Sequence, residues 1–170
     1  MSAIGQDIAK RYENGGITSI LTMEASWIAV AFFAAAALGV DMVLKKQKSL
    51  ALRDDCYCAD IYSYTKQQTY QVRATRKYLV SQDQVFIADD FFVDEQASAG
   101  LVKTCHKAGT NVVAVCAVIE KNLQKGASLL EAMGMEVYSL ARIDRIENGQ
   151  VFSEAAEFFL YSLKNEEDAK

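Results

Sequence analysis

The chain has 170 residues, 51% of them hydrophobic and 24% charged, enough to bury one sizeable core and most simply a single domain over residues 1–170. A net charge of −4 and an isoelectric point near 5.1 argue against a nucleic-acid footprint. Proline is absent, although ordinary usage of about 5% would supply roughly eight.

Taken in order, Ile4, Ile8 and Tyr12 recur at four-residue spacing, which predicts an amphipathic helix over residues 3–13, closed by Asn14-Gly15-Gly16. A leader-like segment is not expected from this mixed polar and apolar start. A strand from Ile17 to Met23 follows, then Glu24-Ala25-Ser26, with Ser26 as N-cap of an alanine-rich helix to about Leu38 and Gly39 at its end. The apolar run from Trp27 to Val40 has the length of a buried core helix and falls short of a membrane span. With a strand from Val40 to Leu44 it makes a βαβ unit, whose crossover should be right-handed.

Residues 56–64 and 69–79 alternate as strands around Thr65-Lys66-Gln67-Gln68, the pattern of a hairpin that projects as a lid. Cys56 and Cys58 are two apart and share a face if the segment is a strand. Val85 to Ala88 is an apolar run of strand length that stops at Asp89 and Asp90. From Glu95 the spacing turns helical, with Ala97, Leu101, Val102 and Cys105 on one face and His106 toward solvent. Residues 111–119 read as a strand buried on both sides, 121–133 as a helix, and 135–140 as a strand. Ser153 caps an expected C-terminal helix over about 153–163 carrying Ala156, Phe159, Leu160 and Leu163, and the charged tail 165–170 should fray. Alternating β and α elements imply an α/β fold with a doubly wound, mostly parallel sheet and a projecting β-hairpin. None of the four cysteines, Cys56, Cys58, Cys105 and Cys116, shows CxxC spacing, so reduced thiols and a cytoplasmic setting are expected.

Strand, acidic turn, helix is the layout in which α/β proteins place ligands outside the carboxyl ends of their strands. Asp89 and Asp90 can accept hydrogen bonds from vicinal hydroxyls, or hold a divalent cation through oxygen. Without further context, the same pair could simply end a strand and face a helix N-terminus favourably for its dipole.

The segments ITSILTMEAS (17–26), QKSLAL (47–52), YSYTKQ (62–67), ADDF (88–91), VIEKNLQKG (118–126) and YSLAR (138–142) occur in one order and spacing over residues 4–143. Together they resemble the type I phosphoribosyltransferases, and most of all the bacterial xanthine phosphoribosyltransferases. The resemblance implies a purine phosphoribosyltransferase using phosphoribosyl pyrophosphate and Mg²⁺ as a homodimer. By it, Asp89 and Asp90 contact the ribose hydroxyls, with Asp90 as metal ligand. Val93, Asp94, Glu95, Gln96 and Ala97 cradle the 5′-phosphate; Ala25, Ser26, Lys45 and Lys46 reach the pyrophosphate. Lys121 recognises the exocyclic oxygen of the base, and Ser63, Thr65 and Lys66 belong to the lid.

Some positions depart from the family's pattern. The phosphate loop reads Val93-Asp94-Glu95-Gln96 where the family has Ala-Asn-Gly-Gln, and Trp27 stands where a glycine follows the Glu24-Ala25-Ser26 turn. The family also carries an N-terminal hood over the base ahead of the helix that starts here at Met1. These departures keep a second reading open, a non-catalytic relative serving as scaffold, ligand sensor or dimerisation module. Trp27 reads equally as a core anchor, Lys121 as a solvated helix-start lysine, and the Lys45, Lys46 and Lys48 cluster as a solvated face.

Overall fold

The computed structural model describes residues 1–45, 55–63, 67–92, 96–121, 128–148 and 150–155. In chain order they form α1 (Ser2–Tyr12), β1 (Ser19–Met23), α2 (Trp27–Leu38), β2 (Asp41–Lys45), β3 (Cys56–Ser63) and β4 (Gln68–Thr75). These are followed by β5 (Gln84–Phe92), α3 (Gln96–Ala108), β6 (Asn111–Lys121), α4 (Ser128–Ala132), β7 (Val137–Glu147) and β8 (Gln150–Ala155).

The main sheet has the order β2-β1-β5-β6-β7-β8. All neighbours run parallel except β8, which returns antiparallel on β7. The apolar run Val85 to Ala88 lies at the centre of β5 and each of its residues is 0% exposed, the fate of a parallel strand covered on both faces. Its alternation sorts two cores. Phe86 and Ala88 join Ile20, Ala114 and Cys116 under Ile8 of α1 and Val30, Ala31 and Ala34 of α2. Val85 and Ile87 join Leu21 and Val115 under Leu101, Val102 and Cys105 of α3. Helices therefore cover both faces, and the doubly wound fold expected from the sequence is present.

Two close approaches fix the outer layers. At Gly5 the backbones of α1 and α2 nearly touch: an added Cβ would overlap the Phe33 carbonyl. At Gly100, on α3, an added Cβ would occupy the space of the Ile61 side chain from β3. The hairpin β3–β4 thus forms a separate two-stranded sheet that buries Ala59 and lays Ile61, Val72 and Ala74 into the α3-side core. It is seated along α3, and Thr65 and Lys66, expected in the lid, lie outside the described residues. α1 is tied to the far strand, where the Tyr138 hydroxyl donates to Asp7 at 3.2 Å and the Tyr12 hydroxyl donates to Glu136 at 3.0 Å.

Several expectations need correction. Lys121 does not begin a helix; it ends β6, in register with Ile143 of β7, because β7 runs alongside and offers it backbone partners. β7 runs to Glu147 and β8 starts at Gln150, so Ser153 pairs with Ile143 in a strand and caps no helix. β8 continues to Ala155, and residues 156–163 of the expected C-terminal helix lie outside the described residues. The second hairpin strand stops at Thr75, where Arg76–Tyr78 forms a 3-10 turn and the Arg76 guanidinium pairs with Asp55 at 3.4 Å. α2 is not buried all round: Phe32 is 56% exposed. Among the described residues no helix is long and apolar enough to cross a membrane.

Candidate active site

The order of the sheet locates the site before any side chain does. From β1 the chain winds outward to β2, whereas from β5 it winds the other way through β6 to β7. The direction reverses between β1 and β5, and in open α/β sheets ligands bind in the crevice outside the carboxyl ends at such a reversal. β1 ends at Met23 and leads through Glu24-Ala25-Ser26 to the N-terminus of α2; β5 carries the acidic pair near its end, before Phe92, and leads to the N-terminus of α3. Both helix starts present backbone N–H groups and the positive end of a dipole, which suits anions. The Thr22 hydroxyl donates to the Ala88 carbonyl at 3.0 Å and pins the two strands together at the crevice.

Asp89 and Asp90 differ in environment. β5 does not stop at them but continues to Phe92, in register with Glu120. Asp89 is 2% exposed; it accepts from the Ser98 hydroxyl of α3 at 2.8 Å and from the Phe91 amide at 3.2 Å. Burial pushes its carboxyl well above the usual carboxylate range; the two hydrogen bonds oppose this in part and the neighbouring Asp90 adds to it. Asp90 is only half-buried and is the member of the pair open to a ligand.

That contrast carries a stability prediction. A carboxyl whose folded value lies above its unfolded one holds its proton more tightly in the native state. Its contribution is fully present below the unfolded value of about 3.9 and is lost as pH rises through the folded value. Asp89→Asn keeps an acceptor for the Phe91 amide and offers a donor to the Ser98 oxygen, but cannot ionise. The variant should melt above the wild type at neutral pH, with the gap closing near pH 4. Melting curves across that range measure it, and a gap independent of pH would contradict the assignment.

The remaining candidates fall at the same edge to differing degrees. Ala25 and Ser26 are exposed in the turn after β1, and the Glu24–Ala25 peptide is cis. Ser26 stands at the N-cap of α2 without a side-chain capping bond, its φ of −64° and ψ of −30° already helical; a capping serine normally has extended dihedrals. Trp27, half-buried, packs against the α3-side core as an anchor. Gln96 and Ala97 open α3, both half-buried. Lys45 ends β2 opposite Met23, and Lys121 is half-buried at the end of β6. Val93, Asp94, Glu95, Lys46 and Lys48 lie outside the described residues. His106 is exposed and Cys105 buried, as expected.

One group at this edge escaped the sequence reading. Glu120 accepts from the Ser139 hydroxyl at 2.8 Å and from the Arg142 guanidinium at 3.2 Å. Its side chain is 4% exposed and that of Arg142 is 49% exposed. Phe92, Glu120 and Arg142 stand in one register row across β5, β6 and β7, so the pair braces the strand ends that carry the acidic motif and Lys121. The signal was present: a carboxylate ending an apolar strand run requires a partner. Arg142→Ala leaves Glu120 with Ser139 alone and should cost about 1.5–3 kcal/mol, read as a lower urea midpoint with an unchanged slope.

Among the described residues no group of three or more His, Cys, Asp or Glu side chains could hold a metal by itself. Mg²⁺ does not require such a group, since it commonly binds through one or two carboxylates plus substrate phosphates. Asp90, half-exposed at the strand end, fits that role, whereas the Asp89 oxygens are engaged by Ser98 and Phe91.

Comparison with solved structures defines the class. The adenine phosphoribosyltransferase of Giardia lamblia complexed with 9-deazaadenine superposes with a TM-score of 0.74 at 18% identity, covering 84% of this chain and 78% of that one. The adenine phosphoribosyltransferase of Thermoanaerobacter pseudethanolicus gives 0.71 at 19% identity, covering 82% and 77%. The fold is that of the type I phosphoribosyltransferases. In sequence, the xanthine phosphoribosyltransferase of Streptococcus pyogenes serotype M49 (strain NZ131) is 46% identical over 152 residues, 89% of this chain and 79% of that protein. That of serotype M28 (strain MGAS6180) matches to the same degree, 46% over 152 residues. No family model matches the chain. The chain belongs to the xanthine phosphoribosyltransferase family.

Proposed function

We propose that this chain transfers the phosphoribosyl group of phosphoribosyl pyrophosphate to a purine base of the xanthine type. A ring nitrogen of the base forms a bond to the anomeric carbon and gives up its proton, the bond from that carbon to pyrophosphate breaks, and pyrophosphate leaves with the electron pair. The observation that carries the proposal is the meeting of the acidic end of β5 with the starts of α2 and α3 at the reversal point of the sheet.

The reaction builds positive charge at the anomeric carbon, and a fixed carboxylate nearby stabilises it. Asp90 supplies that charge and holds one ribose hydroxyl, while Asp89, seated on Ser98, orders the strand end and the second hydroxyl contact. The N–H groups at the start of α3, with residues 93–97, bind the 5′-phosphate. The turn at Ala25 and Ser26 binds pyrophosphate, whose outer charge Lys45 and Lys46 offset. Lys121 donates to the exocyclic oxygen of the base. Mg²⁺, held by Asp90 and the pyrophosphate, would supply charge neutralisation for the leaving group. A homodimer in the cytoplasm is part of the proposal, supported by the exposed Phe32 of α2 and by cysteines with no disulfide among the described residues.

The competing scaffold reading draws on Trp27, Asp94 and Glu95. An assay with xanthine, phosphoribosyl pyrophosphate and Mg²⁺, followed by chromatography of the nucleotide, separates the two. Xanthosine monophosphate formed in proportion to enzyme supports transfer; no product from folded protein with any purine base supports the scaffold. Restoring glycine at 27 and 95 should then raise donor affinity if those side chains obstruct the site.

A further inference from the structure

We propose that Cys56 and Cys58, side by side on the outer face of β3, form a modification site, a dithiol that a low-molecular-weight disulfide oxidises to an intrastrand disulfide. The transfer reaction uses neither residue. Alternation along β3 turns Ala59 and Ile61 inward, both buried, and leaves Cys56, Cys58, Asp60 and Tyr62 on the other face. The two sulfurs stand 3.5 Å apart. Both cysteines are half-buried, whereas Cys105 and Cys116 are buried in the core, so a soluble reagent reaches one pair only.

The backbone permits closure. Two residues of extended strand span about 6.6–6.8 Å between Cα atoms, the upper end of the spacing a disulfide accepts, about 4.4–6.8 Å. Closure also requires the Cβ atoms to approach to about 3.5–4.5 Å, so β3 must pucker at Tyr57, and the sulfurs already stand 3.5 Å apart. The neighbourhood also favours an anionic oxidant such as glutathione disulfide. Arg73 of β4 lies directly opposite Cys58, and Lys107 of α3 donates to the Cys58 carbonyl at 2.6 Å, so two cations stand beside Cys58 against the one carboxylate of that face, Asp60.

The step balances as a thiol–disulfide exchange. One cysteine thiolate attacks a sulfur of the small disulfide, forming a mixed disulfide and expelling one small thiolate. The second cysteine thiolate then attacks the protein sulfur of that mixed disulfide, closes the Cys56–Cys58 bond and expels the other small thiolate. The two cysteines lose two electrons, the small disulfide gains them, and the two protons end on the released thiols.

The test incubates the folded, reduced wild-type protein with glutathione disulfide, then alkylates, digests with trypsin and weighs the peptides. The tryptic peptide 54–66, which contains both cysteines, should lose the mass of two hydrogens. The thiol titre of the denatured protein should fall from four to two, and dithiothreitol should restore it. In Cys58→Ser the exchange should halt at a glutathione adduct on Cys56. An unchanged peptide mass in the wild type, or a glutathione adduct that persists there as it does in the variant, would overturn the proposal.

Discussion

Asp90→Asn should lower turnover of a purine base with phosphoribosyl pyrophosphate by about a hundred- to a thousandfold, the range seen when one fixed electrostatic group is taken from a developing charge. The fold should survive, because Asp90 is half-buried at the strand end and the substitution is nearly isosteric. Loss should fall on turnover more than on KM for the base, since the charge at the anomeric carbon exists only on the way to the transition state. Steady-state kinetics with melting curves on the same samples provide the check. A variant as active as the wild type would remove Asp90 from the mechanism. The paired substitution Asp89→Asn separates the roles, since it is the one expected to raise thermal stability at neutral pH.

Gly5→Ala should be the most destabilising single methyl addition described. At this point α1 crosses α2, and the new Cβ would fall on the Phe33 carbonyl and 2.8 Å from the Phe33 Cβ. Overpacking a well-filled interior costs about 1–3 kcal/mol, against a gain of about 1 kcal/mol in helix propensity. Backbone cannot rotate aside, so the two helices must separate, and separation loosens Ile8 above Phe86. A net loss of up to about 2 kcal/mol is expected by urea unfolding. Gly100→Ala is the comparison. Its Cβ meets the side chain of Ile61, which can change rotamer, so it should cost less. The reverse order would mean that α1 is not held closely against α2.

The parts of this fold legible in the sequence are those set by local pattern. Val85 to Ala88 declared a buried central strand because both of its faces are covered, and Ile4, Ile8 and Tyr12 declared α1 because one face is. The order of six short segments was enough to reveal the family, which the 46% identity to a xanthine phosphoribosyltransferase bears out. What escaped was set by partners distant in sequence. Lys121 belongs to a strand because β7 continues alongside it. Glu120 meets Arg142 across 22 residues, and Ser98 meets Asp89 across nine; no helical or strand period announces either. The β7–β8 hairpin did have a local signal. Asn148-Gly149 is a strong two-residue turn pair, it separates Glu147 from Gln150, and Asn148 has the positive φ of 51° that such a turn uses. The apolar spacing beyond Ser153 suggested a helix instead.

The most direct test of the account is calorimetric titration of the protein with phosphoribosyl pyrophosphate and Mg²⁺, set beside the double variant Asp89→Asn/Asp90→Asn. Micromolar binding by the wild type and none by the double variant are expected, with both folded by circular dichroism. Absence of binding by the folded wild type, or equal binding by both proteins, would contradict the placement of the donor site at the acidic end of β5.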